Sequence, residues 1–452
     1  MTPSPDSSAA LLTDLYELTM AAAYFERRID CRASFELFIR SLPPERSYLV
    51  AAGIDGAIDY LENLRFTDED VQFLREHPAF RTISSGFFDY LHNFRFTGEV
   101  HAVEEGTLVF AEEPMLRVTA PVIEAQVVET YLLSLINFET LVASKAARIV
   151  GAARGRTVLE FGSRRAHGPE AGVRAARAAY VGGCHATSNV LAGKNHGIPL
   201  AGTAAHSWTQ VFPKERESFE ALVETFPRTA VLVIDTHDPL AAAEIVATLG
   251  RPVAGVRIDS GDLVEISRRV REILDRRGAS ATKIVASGDL NEYKIEELVR
   301  SRAPIDTFGV GTDLVTSRDA PALGAVYKLV ETERAGQIDY KVKFSPDKIS
   351  WPGRKQVFRF ARRRKMEFDL IGRAEENHPE GEPLLRRVMA DGRRLAPRRL
   401  IEAVRAQVVA NLQCLPKSYH ALRDAPAYPV RKSTALQQLL EDVHEQRNST
   451  PS

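Results

Sequence analysis

Cysteine is scarce in this chain. Its three copies, Cys31, Cys184 and Cys414, lie far apart and form no Cys-x-x-Cys pair, which excludes a disulfide framework and argues against a structural zinc site. Net charge is scarce too. Lys and Arg total 59 against 60 Asp and Glu, so nothing points to a general affinity for nucleic acid, and any basic surface must be local. The opening MTPSPDSSAA lacks a basic stretch followed by an apolar core, and no apolar run reads as long enough to span a bilayer. What remains is a globular composition, 44% hydrophobic and 26% charged over 452 residues, enough for two or three domains. A soluble, cytoplasmic protein with neither membrane nor nucleic-acid partner is expected.

The segment LLTDLYELTMAAAYFERR carries apolar residues at helical spacing, with Asp14 and Glu17 placed as a capping box. ASFELFIR alternates as a half-buried strand, and a second helix restarts at Thr67. Residues 1–121 therefore read as an α+β domain. From Pro121 the texture changes to a long helix, then to short apolar runs alternating with amphipathic segments: RTVLEFG, GIPLAGT, TAVLVID, PVAGVRIDSGD, TKIVASGD and PIDTFGVGT. Six strands with intervening helices over residues 122–330 imply a parallel sheet, and polar residues at nearly every strand end favour a barrel rim over the single switch point of a doubly wound sheet. Residues 331–452 are expected to pack on the N-terminal domain. Their basic run Arg362–Lys365 reads as a solvated face, and their tail from EQRNSTPS as disordered.

The strand ends hold the candidate chemistry. His206, in GTAAHSW, sits among small residues on the same rim as Asp235, Asp238 and Asp259, an arrangement suited to a base or nucleophile oriented by a carboxylate. A core histidine satisfied by backbone is the plainer alternative. Arg257 and Asp259 should face one side of a strand, where each needs the other or a polar ligand. Asp259 and Asp262 could both point into a cleft, with a helix cap as the plainer alternative for Asp262. FGVGTDLVTS, with Gly309, Gly311 and Thr312, and VASGDLNEYKI, with Ser287, Gly288 and Asp289, offer two glycine-bearing loops for a phosphorylated ligand. Phe161 and Arg164 in LEFGSRRAHGP suit a flat anionic aromatic ligand, stacked on one and paired with the other.

In order and spacing, LLTDLYELTM, EFGSRRAHGPEAG, GTAAHSW, VRIDSGDL, SGDLNEYKI and FGVGTDLVTS resemble the nicotinate phosphoribosyltransferases. The resemblance runs from Leu11 to about Val330, with a weaker echo in KVKFSPDKISWPGRKQVFR. It implies an irregular α/β barrel of the type II phosphoribosyltransferase kind beside an α+β domain, working as a homodimer with shared sites. It further implies transfer of phosphoribose from phosphoribosyl diphosphate (PRPP) to nicotinate, with ATP as co-substrate through a phosphorylated histidine and Mg²⁺ accompanying the diphosphate. By the same resemblance His206 is the phosphorylated residue. Phe161 stacks on the pyridine ring, Arg164 pairs with its carboxylate, and Tyr16 of a partner subunit covers the other face. Arg257 and Asp259 hold the substrate and ribose hydroxyls, Gly288, Asp289, Gly311 and Thr312 cradle the 5-phosphate, and Ser287 and Gly309 are further substrate-binding positions. Asp235 either orients His206 or engages Mg²⁺, and Arg40, Lys343 and Lys355 are possible diphosphate contacts.

Cys184 is matched to the position where related nicotinamide enzymes carry an aspartate. A carboxylate there would repel nicotinate and cysteine does not, so the acid is the expected substrate. Competing readings are the same transfer to nicotinamide or quinolinate, a non-catalytic phosphate-binding barrel, and a Schiff-base aldolase, the last disfavoured because Lys283 stands at a strand start.

Overall fold

The structure, a computed structural model, describes residues 9–343 and 350–449. The chain divides into two compact units, Met1–Leu141 with Ala322–Ser452, and Val142–Pro321. These boundaries differ from 121/122 and 330/331. The first falls inside the helix Glu129–Ala152. The second precedes the strand Ala325–Arg334, which pairs with Arg32–Ile39 and so goes with the first unit.

In the first unit an antiparallel sheet of seven strands takes its central members from Arg32–Ile39, Pro114–Pro121 and Glu99–Ala102 and its outer ones from residues beyond 324. Arg32–Ile39 is buried along nearly its whole length. It therefore carries Glu36 into the core, where Lys355 pairs with it at 2.8 Å. A four-stranded sheet holds the basic hairpin Lys355–Arg362 and Lys365–Arg373, and Arg362, Arg363 and Arg364 at its turn are exposed. The first helix is Leu15–Glu26, but the expected capping box is not made. The Asp14 carboxylate instead accepts the Thr130 hydroxyl at 2.8 Å, and Glu17 is buried. The last helix, Thr434–Ser449, continues through residues expected to be disordered. Leu439 and Val443 on one of its faces pack with Val342, which accounts for the order. Residues 450–452 lie outside the described residues.

The helical run Val122–Ala152 is by length and composition long and apolar enough to cross a membrane, contrary to the reading of the sequence. Most of it is buried inside the protein, and it carries the buried charges Glu139, Lys145 and Arg148. Those are the properties of a core helix.

The second unit is built on six parallel strands that form a half-barrel, in the order Ala186–Thr187, Thr157–Glu160, Thr307–Val310, Lys283–Ala286, Gly255–Ile258, Val231–Val233. Five of the six expected strands form. GIPLAGT does not, and makes only a bridge between Thr187 and Leu200. Pro199 has no N–H to give a ladder, and the edge position passes to Ala186–Thr187. Helices follow the strands, among them Leu263–Arg276 and Glu292–Arg300, with shorter ones, Val190–His196 and Thr312–Val315, after Ala186–Thr187 and Thr307–Val310. Lys145, 1% exposed, ties this unit's interior together by pairing with Glu292 at 2.6 Å and Asp319 at 2.9 Å.

Candidate active site

The site is assembled at the carboxyl ends of the half-barrel strands. In Thr157–Glu160 alternate side chains turn inward, which buries Glu160. Its carboxylate accepts the Gly162 N–H and the Thr187 hydroxyl, fixing the turn that follows the strand. Burial pushes the Glu160 carboxyl up, against the opposing pull of those two bonds. Phe161 donates its N–H to the Val310 carbonyl at 2.8 Å. A Cβ at Gly309 would stand 2.6 Å from the Phe161 ring, so glycine there makes room for the aromatic. Arg164 follows in the 3-10 turn Ser163–Arg165 with its side chain exposed.

The centre of the rim is a network around Arg257. Its Nε donates to Ser287 Oγ at 2.7 Å, Nη1 to Thr203 Oγ1 at 3.0 Å and Nη2 to Asp259 Oδ1 at 2.7 Å. Ser287 also donates to Asp259 Oδ1. Burial pushes the Asp259 carboxyl up, but the Ser287 and Arg257 hydrogen bonds, the Arg257 charge and His206 together hold it below the usual carboxylate range. A guanidinium fixed by three partners and a carboxylate kept ionised give a rigid, charged floor.

His206 begins the short helix His206–Val211. Its Nδ1 lies 3.1 Å from Thr236 Oγ1, and its Nε2 lies 3.8 Å from Asp259 Oδ2. Asp235 does not orient the ring. Its Oδ2 accepts the Asp259 N–H at 2.8 Å and the Ser260 hydroxyl at 2.7 Å, while Oδ1 is buried without a hydrogen-bond partner. Asp238 caps the helix Pro239–Ala247 and Asp262 caps Leu263–Arg276. Both acids are thereby committed to backbone.

Beside this floor, Gly288 has φ +93, and a Cβ there would stand 2.0 Å from the Asp259 carbonyl oxygen. Asp289 follows at φ +47 and accepts Lys294 Nζ on its carbonyl at 2.8 Å. Gly311 and Thr312 open the turn Thr312–Val315 after the neighbouring strand, and Asn291 bridges the two loops by donating to Asp313 at 2.8 Å. The structure thus brings Phe161, Arg164, His206, Asp235, Arg257, Asp259, Ser287, Gly288, Asp289, Gly309, Gly311 and Thr312 to one edge of one sheet.

Cys184 is not among them. It is fully buried and lies two residues before the strand Ala186–Thr187, whose first residue is level with Leu159. That places it at the amino end, roughly 10 Å or more down the sheet from the rim at about 3.3 Å per residue. The carboxyl end of that strand carries Ser188, exposed, with its N–H on the Glu160 carbonyl at 3.0 Å. The specificity argument built on Cys184 is thereby corrected, and a position that reaches the rim is Ser188.

Tyr16, Arg40, Lys343 and Lys355 belong to the other unit. Tyr16 is half exposed on the first turn of its helix, and burial first, then the charges of Glu129 and Glu17, push its hydroxyl pKa up. Lys343 is exposed and Arg40 partly so. Lys355 does not fit a diphosphate contact. Its ammonium is buried, holds Glu36 and donates to the carbonyls of Trp351 and Gly353, so its three donors are committed. The sequence reading missed Thr236, Ser260 and Glu160, and placed Thr203 at a strand end without giving it a role. Each stands next to or within a strand end already singled out, so a reading of whole turns would have found them.

Comparison with known proteins decides the family. Sequence models of the nicotinate phosphoribosyltransferase N-terminal domain, family domain and C-terminal domain match residues 11–137, 157–338 and 380–440. Nicotinate phosphoribosyltransferase pncB2 of Mycobacterium tuberculosis is 44% identical over 94% of this chain and 92% of its own length. The chain belongs to the nicotinate phosphoribosyltransferase family. The Bacillus subtilis nicotinate phosphoribosyltransferase is 46% identical over 78% of this chain and 74% of its own length. Among solved structures, human nicotinic acid phosphoribosyltransferase superposes with a TM-score of 0.83 at 29% identity, covering 95% of this chain and 99% of that one. A Pyrococcus furiosus nicotinate-nucleotide pyrophosphorylase shares the fold, with a TM-score of 0.75 at 24% identity over 92% and 99% of the two chains. The half-barrel with an additional α+β unit is thus the architecture of this enzyme family, which serves NAD salvage.

Proposed function

We propose that this chain transfers phosphoribose from PRPP to nicotinate, giving nicotinate mononucleotide and diphosphate, and that it couples this transfer to ATP hydrolysis through His206. The observation that carries the reading is the Arg257–Asp259–Ser287 network with His206 beside it, all at one strand-end rim. The nicotinate ring nitrogen bonds to C1 of the ribose as the C1–oxygen bond to diphosphate breaks, and diphosphate leaves with the electron pair. Positive charge builds on the ribose, where Asp259, ionised and rigid, stabilises it. Phe161 offers an aromatic face to the pyridine ring and Arg164 a guanidinium to its carboxylate. With Nδ1 engaged by Thr236, Nε2 of His206 is the nitrogen available to a phosphoryl group. It bonds to the γ-phosphorus of ATP as ADP leaves, and water later cleaves the nitrogen–phosphorus bond to give phosphate.

Among the described residues no group of three or more His, Cys, Asp and Glu is gathered as a metal site. Magnesium does not need one, since it is bound by one or two carboxylates plus substrate phosphates. Asp235 Oδ1, buried and unpartnered, fits such a cation and is the group that would hold it. When bound, Mg²⁺ neutralises charge on the diphosphate. Tyr16 is assigned to the neighbouring site of a homodimer, and the enzyme to the cytoplasm. His206→Ala tests the coupling: ATP stimulation should vanish while a slower ATP-independent transfer persists, and retained coupling would remove the phosphohistidine.

A further inference from the structure

Two loops from neighbouring parallel strands meet at the rim. One leaves Lys283–Ala286 as Ser287 to Asn291 and opens the helix Glu292–Arg300, and the other leaves Thr307–Val310 as Gly311 and opens the turn Thr312–Val315. The strand pairing fixes where each loop starts. It does not fix the gap between them, because the first loop turns through two successive left-handed residues, Gly288 and Asp289.

The side chain of Asn291 spans that gap. Its Oδ1 accepts the Lys294 N–H at 3.0 Å and so caps the helix, while its Nδ2 donates to Asp313 Oδ2 at 2.8 Å on the other loop. The first contact needs an acceptor and the second, to a carboxylate, needs a donor. An amide of this length supplies both, whereas aspartate lacks the donor and serine has a single short hydroxyl. Asp313 is little exposed and the bond to it is charge-assisted, which strengthens it. Arg318 stands 3.7 Å from Asp313 and is largely exposed, so it competes weakly. The segments behind the loops are anchored separately. Buried Lys145 pairs with Glu292, next to Asn291, at 2.6 Å and with Asp319, beyond Asp313, at 2.9 Å. Both ends of the Asn291–Asp313 bond are therefore mounted on fixed backbone, and the bond sets one loop against the other.

We infer that Asn291 is a positioning residue for the sugar 5-phosphate: through Asp313 it holds the two glycine-bearing loops at the spacing that lets both reach one phosphate group. The inference rests on the reading of these loops as the 5-phosphate cradle of the proposed function. With both ends of its amide committed to protein, Asn291 acts through the loops and not by contact with substrate. Hydrogen bonds weaken once donor and acceptor part beyond about 3.2 Å, so a gap wider by about 1 Å forfeits one loop's contacts.

Equilibrium dialysis of the full chain with labelled ribose 5-phosphate tests this, alongside KM values for PRPP and nicotinate. Asn291→Ser keeps a helix cap and the net charge but does not reach Asp313. It should weaken ribose 5-phosphate at least tenfold and raise KM for PRPP in step, with KM for nicotinate within twofold of the parent. Asn291→Asp keeps the cap and sets two carboxylates face to face, so binding should weaken further. Combined with Asp313→Asn it reverses the direction of the bond at the parent's net charge, and affinity should return to within threefold of the parent. Should Asn291→Ser fold poorly, the comparison of Asn291→Asp with the double variant decides. Binding by Asn291→Ser within twofold of the parent, a double variant as weak as Asn291→Asp, or a matching rise in KM for nicotinate would overturn the inference, as would a parent that does not bind ribose 5-phosphate. A parent that binds it and forms no mononucleotide would fault the proposed reaction alone, since the binding series is measured without turnover.

Discussion

Gly288→Ala isolates the geometric core of the site in a single methyl group. At φ +93 a non-glycine residue is strained, and a Cβ there would meet the Asp259 carbonyl oxygen at 2.0 Å, whereas ordinary contact begins above 3 Å. The Asp259 backbone must therefore retreat by about 1 Å, and its carboxylate, bound to Arg257 and Ser287, must follow. A left-handed conformation costs about 1–2 kcal/mol, and a misplacement of about 1 Å at a reacting centre costs about 100-fold in rate. The expected result is a fall of about 100-fold in kcat/KM for PRPP with a melting temperature lower by a few degrees. Gly278→Ala separates strain from collision, because Gly278 has φ +79 and nothing within 4 Å of its would-be Cβ. It should lose similar stability and keep full activity. Initial rates of mononucleotide formation decide. A Gly288→Ala enzyme within twofold of the parent, or a Gly278→Ala enzyme equally impaired, would refute the reasoning.

Two further outcomes follow from local chemistry. Ser188→Asp puts a carboxylate at the exposed strand end beside the Glu160–Gly162 turn and should raise KM for nicotinate at least tenfold, about 1.4 kcal/mol, with little change for PRPP; unchanged KM for nicotinate would remove Ser188 from the ligand's surroundings. Burial, then the Glu129 charge, push the Glu17 carboxyl from its ordinary 4.5 up to about 7. The folded state therefore holds a proton that the unfolded state releases between those values, and stability falls as pH rises through that window. The penalty, fully present above about pH 7, is about 3 kcal/mol. Glu17→Gln should accordingly gain melting temperature over the parent at pH 8 and little at pH 5, and a gap independent of pH would contradict the shift.

Strand ends were legible because parallel strands read as short apolar runs whose polar residues fall after them. That is how Asp235, Arg257, Asp259 and Ser287 could be placed on one rim from the sequence. Their partners were harder. That Thr236 rather than Asp235 meets His206 depends on one residue's rotation along a turn, which no periodicity records. Cys184 was misplaced because a two-residue strand, Ala186–Thr187, carries too little pattern to show which of its ends faces the ligand. Lys355 looked like a free cation because its partner Glu36 lies more than 300 residues away in sequence. The helix to Ser449 was hidden because, among its described side chains, only Leu436, Leu439 and Val443 are buried.

The central claim is ATP-coupled transfer to nicotinate at the Arg257–Asp259 rim. Purified protein with PRPP and Mg²⁺, given nicotinate or nicotinamide with and without ATP, and followed by chromatography of the mononucleotide, measures it directly. The account predicts product from nicotinate, increased by ATP and accompanied by ADP. Product from nicotinamide alone, or nicotinate transfer indifferent to ATP, would contradict it.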